Sequence, residues 1–145
     1  MAASHYVALI FGVLFMLAGL VKLLPLDPSQ QGHGHPEMSK QFQQFITVLP
    51  LRDALGIKTP AMYISLVGVA ELTLGTLLAF GRPGARVAAA VPLLGIMIGA
   101  FYTLRMIGEP LPLCIPSVVF GTAMVYILLN RRSLRSTAYV KSKSS

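Results

Sequence analysis

The sequence predicts an all-α membrane protein in which four transmembrane helices form a bundle and an additional amphipathic helix lies between the first two spans. Of the 145 residues, 54% are hydrophobic and only 12% are charged, and the mean hydropathy is +0.70. The apolar residues gather in four long runs, and most charged residues lie between those runs. A water-soluble domain of this size needs a more polar surface to cover its core.

The four apolar runs cover residues 6–24, 61–80, 87–107 and 113–129. Each is close to the ~20 residues that a helix needs to cross a hydrocarbon core ~30 Å thick. Because lipid offers no hydrogen-bond partners, the backbone of each run must pair within itself, as it does in a helix. We expect one transmembrane domain over residues 1–130, with the first run retained as a span, and a basic tail over residues 131–145.

The charges between the runs predict the orientation of the spans. The tail is basic and has no acidic residue, and the turn between the second and third runs carries Arg82 and Arg86. Charges in the 26–60 and 108–112 loops are nearly balanced. Segments rich in Lys and Arg stay in the cytosol, so both termini are expected there and the two balanced loops on the lumenal side.

The long lumenal loop contains the amphipathic helix. Most positions between its apolar residues are polar. The apolar side chains recur at helical spacing and are Met38, Phe42, Phe45, Ile46 and Leu49. Such a helix either lies on the membrane surface or caps the bundle.

Glu71 is the one acidic residue within an apolar run. It lies ~15 Å into the second span by helix rise, so we expect it to face the interior of the bundle. As a protonated carboxyl it would donate a hydrogen bond, with Thr122 at similar depth as the acceptor. We interpret this as a structural tie between helices, with a proton, ion or ligand site as the alternative. Lys22 is expected to reach the membrane surface, or else to pair with Glu71 if the first helix lies deeper.

Six glycines are assigned to helix packing because small residues let membrane helices approach closely. They are Gly12, Gly19, Gly68, Gly75, Gly95 and Gly99. The last two are spaced four apart in the third run and permit either packing within the bundle or formation of a homo-oligomer.

No enzyme, metal site or cofactor is expected. The sequence contains no recognisable nucleophile–base group or nucleotide loop, and a single cysteine forms no redox pair. The net charge of +7 forms no broad basic patch interleaved with aromatic residues, so membrane lipids rather than nucleic acid are the expected partners.

Short motifs in a consistent order resemble the transmembrane protein 35 family, a eukaryotic branch of the DoxX-like four-helix membrane proteins. They lie at 19–23 (Gly-Leu-Val-Lys-Leu), 45–51, 68–72 followed by Gly75, 99–104 (Gly-Ala-Phe-Tyr-Thr-Leu) and 114–116 (Cys-Ile-Pro). That family includes a nicotinic acetylcholine receptor chaperone of the endoplasmic reticulum, and the 103–104 and 114–116 segments are more similar to its B paralogue.

The resemblance implies an endoplasmic reticulum membrane protein that assists the folding, assembly or trafficking of other membrane proteins. Subunits of pentameric ligand-gated receptors are the implied clients. Two alternatives stay open: a small proton-coupled carrier that uses Glu71, and a redox-associated membrane subunit like those of bacterial DoxX-type proteins.

Lys141 and Lys143 form a K-x-K-x-x sequence that resembles a dilysine signal for retrieval to the endoplasmic reticulum. A basic tail can instead bind anionic lipid. We expect Lys141→Ser with Lys143→Ser to shift the protein to the Golgi or the cell surface, measured by imaging of a tagged chain. Unchanged localisation of the double variant would leave lipid binding as the role of the tail.

Overall fold

The computed structural model describes residues 3–24, 36–49, 52–54 and 56–132, and these form an all-helical bundle. The helices are α1 (Ala3–Leu23), α2 (Pro36–Val48), α3 (Pro60–Phe80), α4 (Pro83–Met106) and α5 (Leu111–Leu129). All except α2 are long and apolar enough to cross a membrane, which confirms the predicted fold class. The retrieval sequence with Lys141 and Lys143 lies outside the described residues.

The residues at the helix ends explain where α3 begins and why α3, α4 and α5 alternate in direction. The Thr59 hydroxyl caps α3 by accepting a hydrogen bond from the Met62 amide at 3.3 Å, and Pro60 suits the first turn because it lacks an amide hydrogen. Only Gly81 and Arg82 separate α3 from α4. The turn between α4 and α5 contains Gly108 at φ 78°, a backbone conformation that glycine adopts without strain. Each of these short turns makes its two helices antiparallel neighbours.

Glycines bring the backbones of α1 and α3 into direct contact. A Cβ atom placed on Gly12 would lie 2.8 Å from the Gly75 carbonyl oxygen, and one on Gly19 would lie 2.6 Å from the Gly68 carbonyl oxygen. Real Cβ atoms do not approach other heavy atoms that closely. The four small residues therefore determine both the distance between these helices and their axial register.

A second helix pair, α4 and α5, packs against the first. The core between the pairs is apolar and is centred on Ala8, Phe15, Leu78, Leu93, Met124 and Ile127. The Phe120 ring of α5 stands edge-on to Phe11 and Phe15 of α1, with ring centroids 5.2 and 4.8 Å apart. Such edge-to-face pairs are favourable beyond their buried area, and here they hold α1 against α5.

Helix α2 caps one end of the bundle, which decides between the two placements that the sequence allowed. Phe42 and Phe45 are buried in a cluster with Ile64, Leu104 and Cys114, contributed by α3, α4 and α5. We call this end, where α1 and α4 finish and α3 and α5 begin, the α2 end. The apolar face of α2 thus packs against the other helices rather than against lipid.

The prediction that Gly95 and Gly99 allow close packing within the bundle is wrong. A Cβ atom on either residue would have no neighbour within 4 Å in the described part of the chain. The residues that α4 buries include Leu93, Met97 and Leu104. Gly95 is exposed and Gly99 is half-buried, and neither lies at a close contact between described helices.

The α1–α3 contact predicts that Gly19→Leu destabilises the protein strongly, whereas Gly95→Leu does not. A leucine side chain at position 19 would collide with the α3 backbone, which cannot move aside as a side chain can. We therefore expect the free energy of unfolding to fall by at least ~1–3 kcal/mol. The Gly95 variant should stay within ~0.5 kcal/mol of the parent. Thermal unfolding of both proteins in detergent measures this, and equal midpoints would contradict the packing described here.

Candidate functional site

Lys22 and Glu71 form a buried ion pair near the α2 end of the bundle. The Lys22 Nζ donates to Glu71 Oε2 at 2.6 Å. The Lys22 side chain is 16% exposed and that of Glu71 is 5% exposed. The expectation that Lys22 extends to the membrane surface is therefore wrong, and the ion pair, which was the alternative, is the observed arrangement.

The axial register of α1 and α3 explains why the two side chains meet. Gly19 lies against Gly68 and Leu72, so the end of α1 stands opposite the second or third turn of α3 rather than its first residue. The Lys22 Cβ lies 3.1 Å from the Cβ position of Gly68, which precedes Glu71 by about one turn. A lysine side chain is long enough to cover that distance along the helix.

The expectation that Thr122 accepts a hydrogen bond from Glu71 is also wrong. The Thr122 hydroxyl is exposed and donates to the Val118 carbonyl oxygen of its own helix at 2.8 Å. Ala123, Met124 and Ile127 are the α5 residues buried in the core around this position. Glu71 is buried and Thr122 is exposed, so the two side chains do not share a face of the bundle interior.

The ion pair lies in the wall of a cavity of about 360 Å³ between the two helix pairs and beneath α2. Most of the wall is apolar, as in ligand pockets of other proteins. The polar side chains that line it besides the ion pair are Gln41, Tyr63, Thr103 and Ser117. The Thr103 hydroxyl donates to the Gly99 and Ala100 carbonyl oxygens, and the Ser117 hydroxyl donates to that of Cys114.

Sequence reasoning did not identify these four residues as parts of one site. Isolated hydroxyl groups are common in membrane helices, where they bond to the preceding turn, and Thr103 and Ser117 do so here. Tyr63 lies in the first turn of α3 and Gln41 on α2, so only tertiary packing brings them together. No feature of the sequence indicates that Thr103 and Tyr63 line a cavity rather than pack between helices in the ordinary way.

A second polar cluster holds the other end of the bundle together. The Arg86 guanidinium, from the first turn of α4, donates to the Ala79 carbonyl oxygen at 2.7 Å and to that of Gly81 at 2.9 Å. Its Nη1 also lies 2.7 Å from Nδ1 of His5 on α1. Arg86 was interpreted as a charge that orients the spans, but it is 7% exposed and satisfies carbonyl groups at the end of α3, where positive charge is favourable.

Neither cluster has the ligands for a metal centre. Within the described residues no group of three His, Cys, Asp or Glu side chains converges closely enough to hold a metal ion. The polar groups in the cavity wall are an ammonium group, a carboxylate, an amide and three hydroxyl groups, and such groups are able to bind and orient polar molecules.

The ion pair predicts a coupled effect of mutation. Lys22→Met leaves the carboxylate of Glu71 buried without a counter-charge and is expected to cost ~3–5 kcal/mol of unfolding free energy. Glu71→Leu should cost less because the more exposed Lys22 can turn toward the surface. The double variant should recover most of the stability, because apolar replacement of both partners is close to neutral. Thermal unfolding in detergent of all three variants tests this, and strictly additive losses would contradict the pairing.

Two comparisons with known proteins bear on this architecture. The chain is 25% identical over 135 residues to the novel acetylcholine receptor chaperone of Bos taurus, covering 92% of this chain and 73% of that protein. The DoxX family model matches residues 7–106, from α1 through the end of α4, which includes both members of the ion pair and most of the cavity wall. The resemblance drawn from the sequence motifs is thus confirmed at the level of this membrane-protein family: the chain belongs to the DoxX family.

Proposed function

We propose that the protein assists the folding, assembly or trafficking of other membrane proteins in the endoplasmic reticulum. The observation that carries the proposal is the similarity to the bovine acetylcholine receptor chaperone, which extends over nearly the whole chain. Subunits of pentameric ligand-gated receptors are accordingly the proposed clients. The protein acts by binding, without catalysis and without a cofactor.

The proposed contact with clients is the outer face of α4. Gly95 lies exposed and Gly99 is half-buried, and a side chain at either position would meet open space. Helix association in lipid depends on close van der Waals packing, which small residues permit. Such a surface can hold a client helix transiently through backbone proximity and release it when the client's own subunits pack.

Glu71 has a structural role in this proposal rather than a role in client contact. Its side chain is buried and paired with Lys22, so a client helix cannot reach it without opening the bundle. The buried side chains of the core cluster on the far side are apolar, among them Phe15 and Leu93. A proton-coupled carrier requires polar groups along a path through the bundle, and the apolar core favours assistance to clients over transport.

The proposed orientation places both termini and the α3–α4 turn in the cytosol, with α2 on the lumenal side. Exposed Arg82 supports this assignment, as does the basic tail. Arg86 supports it less than the sequence suggested, because its guanidinium is engaged inside the bundle. Clients would then meet the α4 surface within the bilayer of the endoplasmic reticulum.

The proposal predicts that Gly95→Leu with Gly99→Leu abolishes assistance while leaving the fold intact. The leucines would hold a client helix away from the α4 backbone. The measurement is surface expression of acetylcholine receptor subunits in cells that produce each variant, and we expect at least a severalfold loss with the double variant.

Gly84→Leu is the matched control. Gly84 lies in the first turn of the same helix, is exposed and also has open space beside it, so its leucine variant should keep full activity. Normal receptor expression with the double variant would refute the α4 contact. If receptor expression is lost when Glu71 is replaced in a stably folded protein, but is kept when the glycines are replaced, the carrier alternative would be favoured.

A further inference from the structure

We propose that the cavity between the two helix pairs is a binding site for a small uncharged amphiphile whose head carries an oxygen acceptor. This goes beyond the proposed assistance to clients. The cavity has a volume of about 360 Å³, within the ~300–1,000 Å³ that ligand pockets occupy. It brings together side chains from all five helices.

The ion pair supplies the recognition of the head group. A lysine ammonium has three N–H donors, and one of those of Lys22 is directed to Glu71 Oε2 at 2.6 Å. A hydroxyl, ester or ketone oxygen in the cavity can accept from the same ammonium group without displacing the carboxylate. Gln41 and Tyr63 also line the cavity and add an amide and a phenol to its polar groups.

The charge balance of the wall specifies that the ligand is uncharged. Lys22 and Glu71 compensate each other, and they are the charged side chains among the residues that line the cavity. A carboxylate ligand would compete with Glu71 for the ammonium group, and an alkylammonium ligand would compete with Lys22 for the carboxylate. Either would leave one buried charge without a partner, which is strongly unfavourable.

The deeper part of the cavity fits an apolar body. Its wall there is formed by Phe15, Met97 and Phe120, and the edge-on contact between Phe15 and Phe120 closes the seam between α1 and α5. Beyond them the core is packed, with Leu93 and Met124 fully buried. The cavity is thus closed at its apolar end, which suits retention of a ligand rather than passage through the bundle.

The test is photolabelling of the purified full-length protein in lipid nanodiscs with a decanol analogue that carries a diazirine in its chain. Labelled residues are located by mass spectrometry. We expect labels on cavity-lining peptides of α4 and α5, and competition by unlabelled decanol but not by decanoate or decylammonium. Equal competition by either charged compound would overturn the assignment of an uncharged ligand.

Two variants separate the cavity from the surface in contact with lipid. Ser117→Phe places a ring in the cavity and should reduce labelling of its wall by roughly tenfold or more. Val119→Phe, two residues along α5 and 47% exposed in the parent, should leave it unchanged. Undiminished labelling in a folded Ser117→Phe protein would refute the site, and if that variant does not fold, the competition in the parent protein decides.

A phospholipid with the same diazirine in one chain distinguishes a separate small molecule from a lipid of the bilayer. It should label the exposed faces of the helices and not the cavity wall. Labelling of the wall by the phospholipid as efficiently as by the decanol analogue would overturn the proposal, because the cavity would then be an extension of the bilayer.

Discussion

The contact between the backbones of α1 and α3 is the constraint on which the rest of the structure depends. Four glycines allow this contact. Backbone atoms of the facing helix leave no space for a side chain at Gly12, Gly19 or Gly75, and Gly68 is only slightly less crowded. Because the contact is so close, the axial position of one helix relative to the other is set to within a residue. That register brings Lys22 beside Glu71 and makes two costly buried charges compatible with a membrane interior.

The two ends of the bundle stabilise a buried cation in different ways. At the α2 end, Lys22 pairs with a carboxylate, so the charges cancel. At the opposite end, Arg86 pairs with carbonyl oxygens at the end of α3 and with His5, so its charge is balanced by dipoles. A guanidinium has several donors in a fixed plane and suits that second role. Each cluster connects α1 to another helix, and together they hold both ends of α1.

The cavity follows from the way the two helix pairs meet. The aromatic contact between α1 and α5 involves Phe11, Phe15 and Phe120, which lie on the side of the cavity away from α2. Toward the α2 end the pairs enclose space instead, and Phe42 and Phe45 of α2 cover it. The same molecule therefore presents two separate surfaces: a mainly apolar cavity that contains the ion pair, and an outer α4 face with exposed Gly95. The proposed ligand site and the proposed client contact can be tested independently, because Gly95 and Gly99 do not line the cavity.

The sequence by itself determined the number of spans, the presence of α2 and the burial of Glu71, because these depend on hydropathy, periodicity and depth within one helix. It did not determine which helices touch. Both the core face and the lipid face of a transmembrane helix are apolar, so periodicity does not reveal which one faces the interior. Gly95 and Gly99 thus looked like Gly68 and Gly75, and Thr122 looked like a partner for Glu71. Tertiary packing decided which glycines lie at a helix contact and which side chain pairs with Glu71. It did so through the axial position of α1 along α3 and the rotations of α4 and α5, which no single segment specifies.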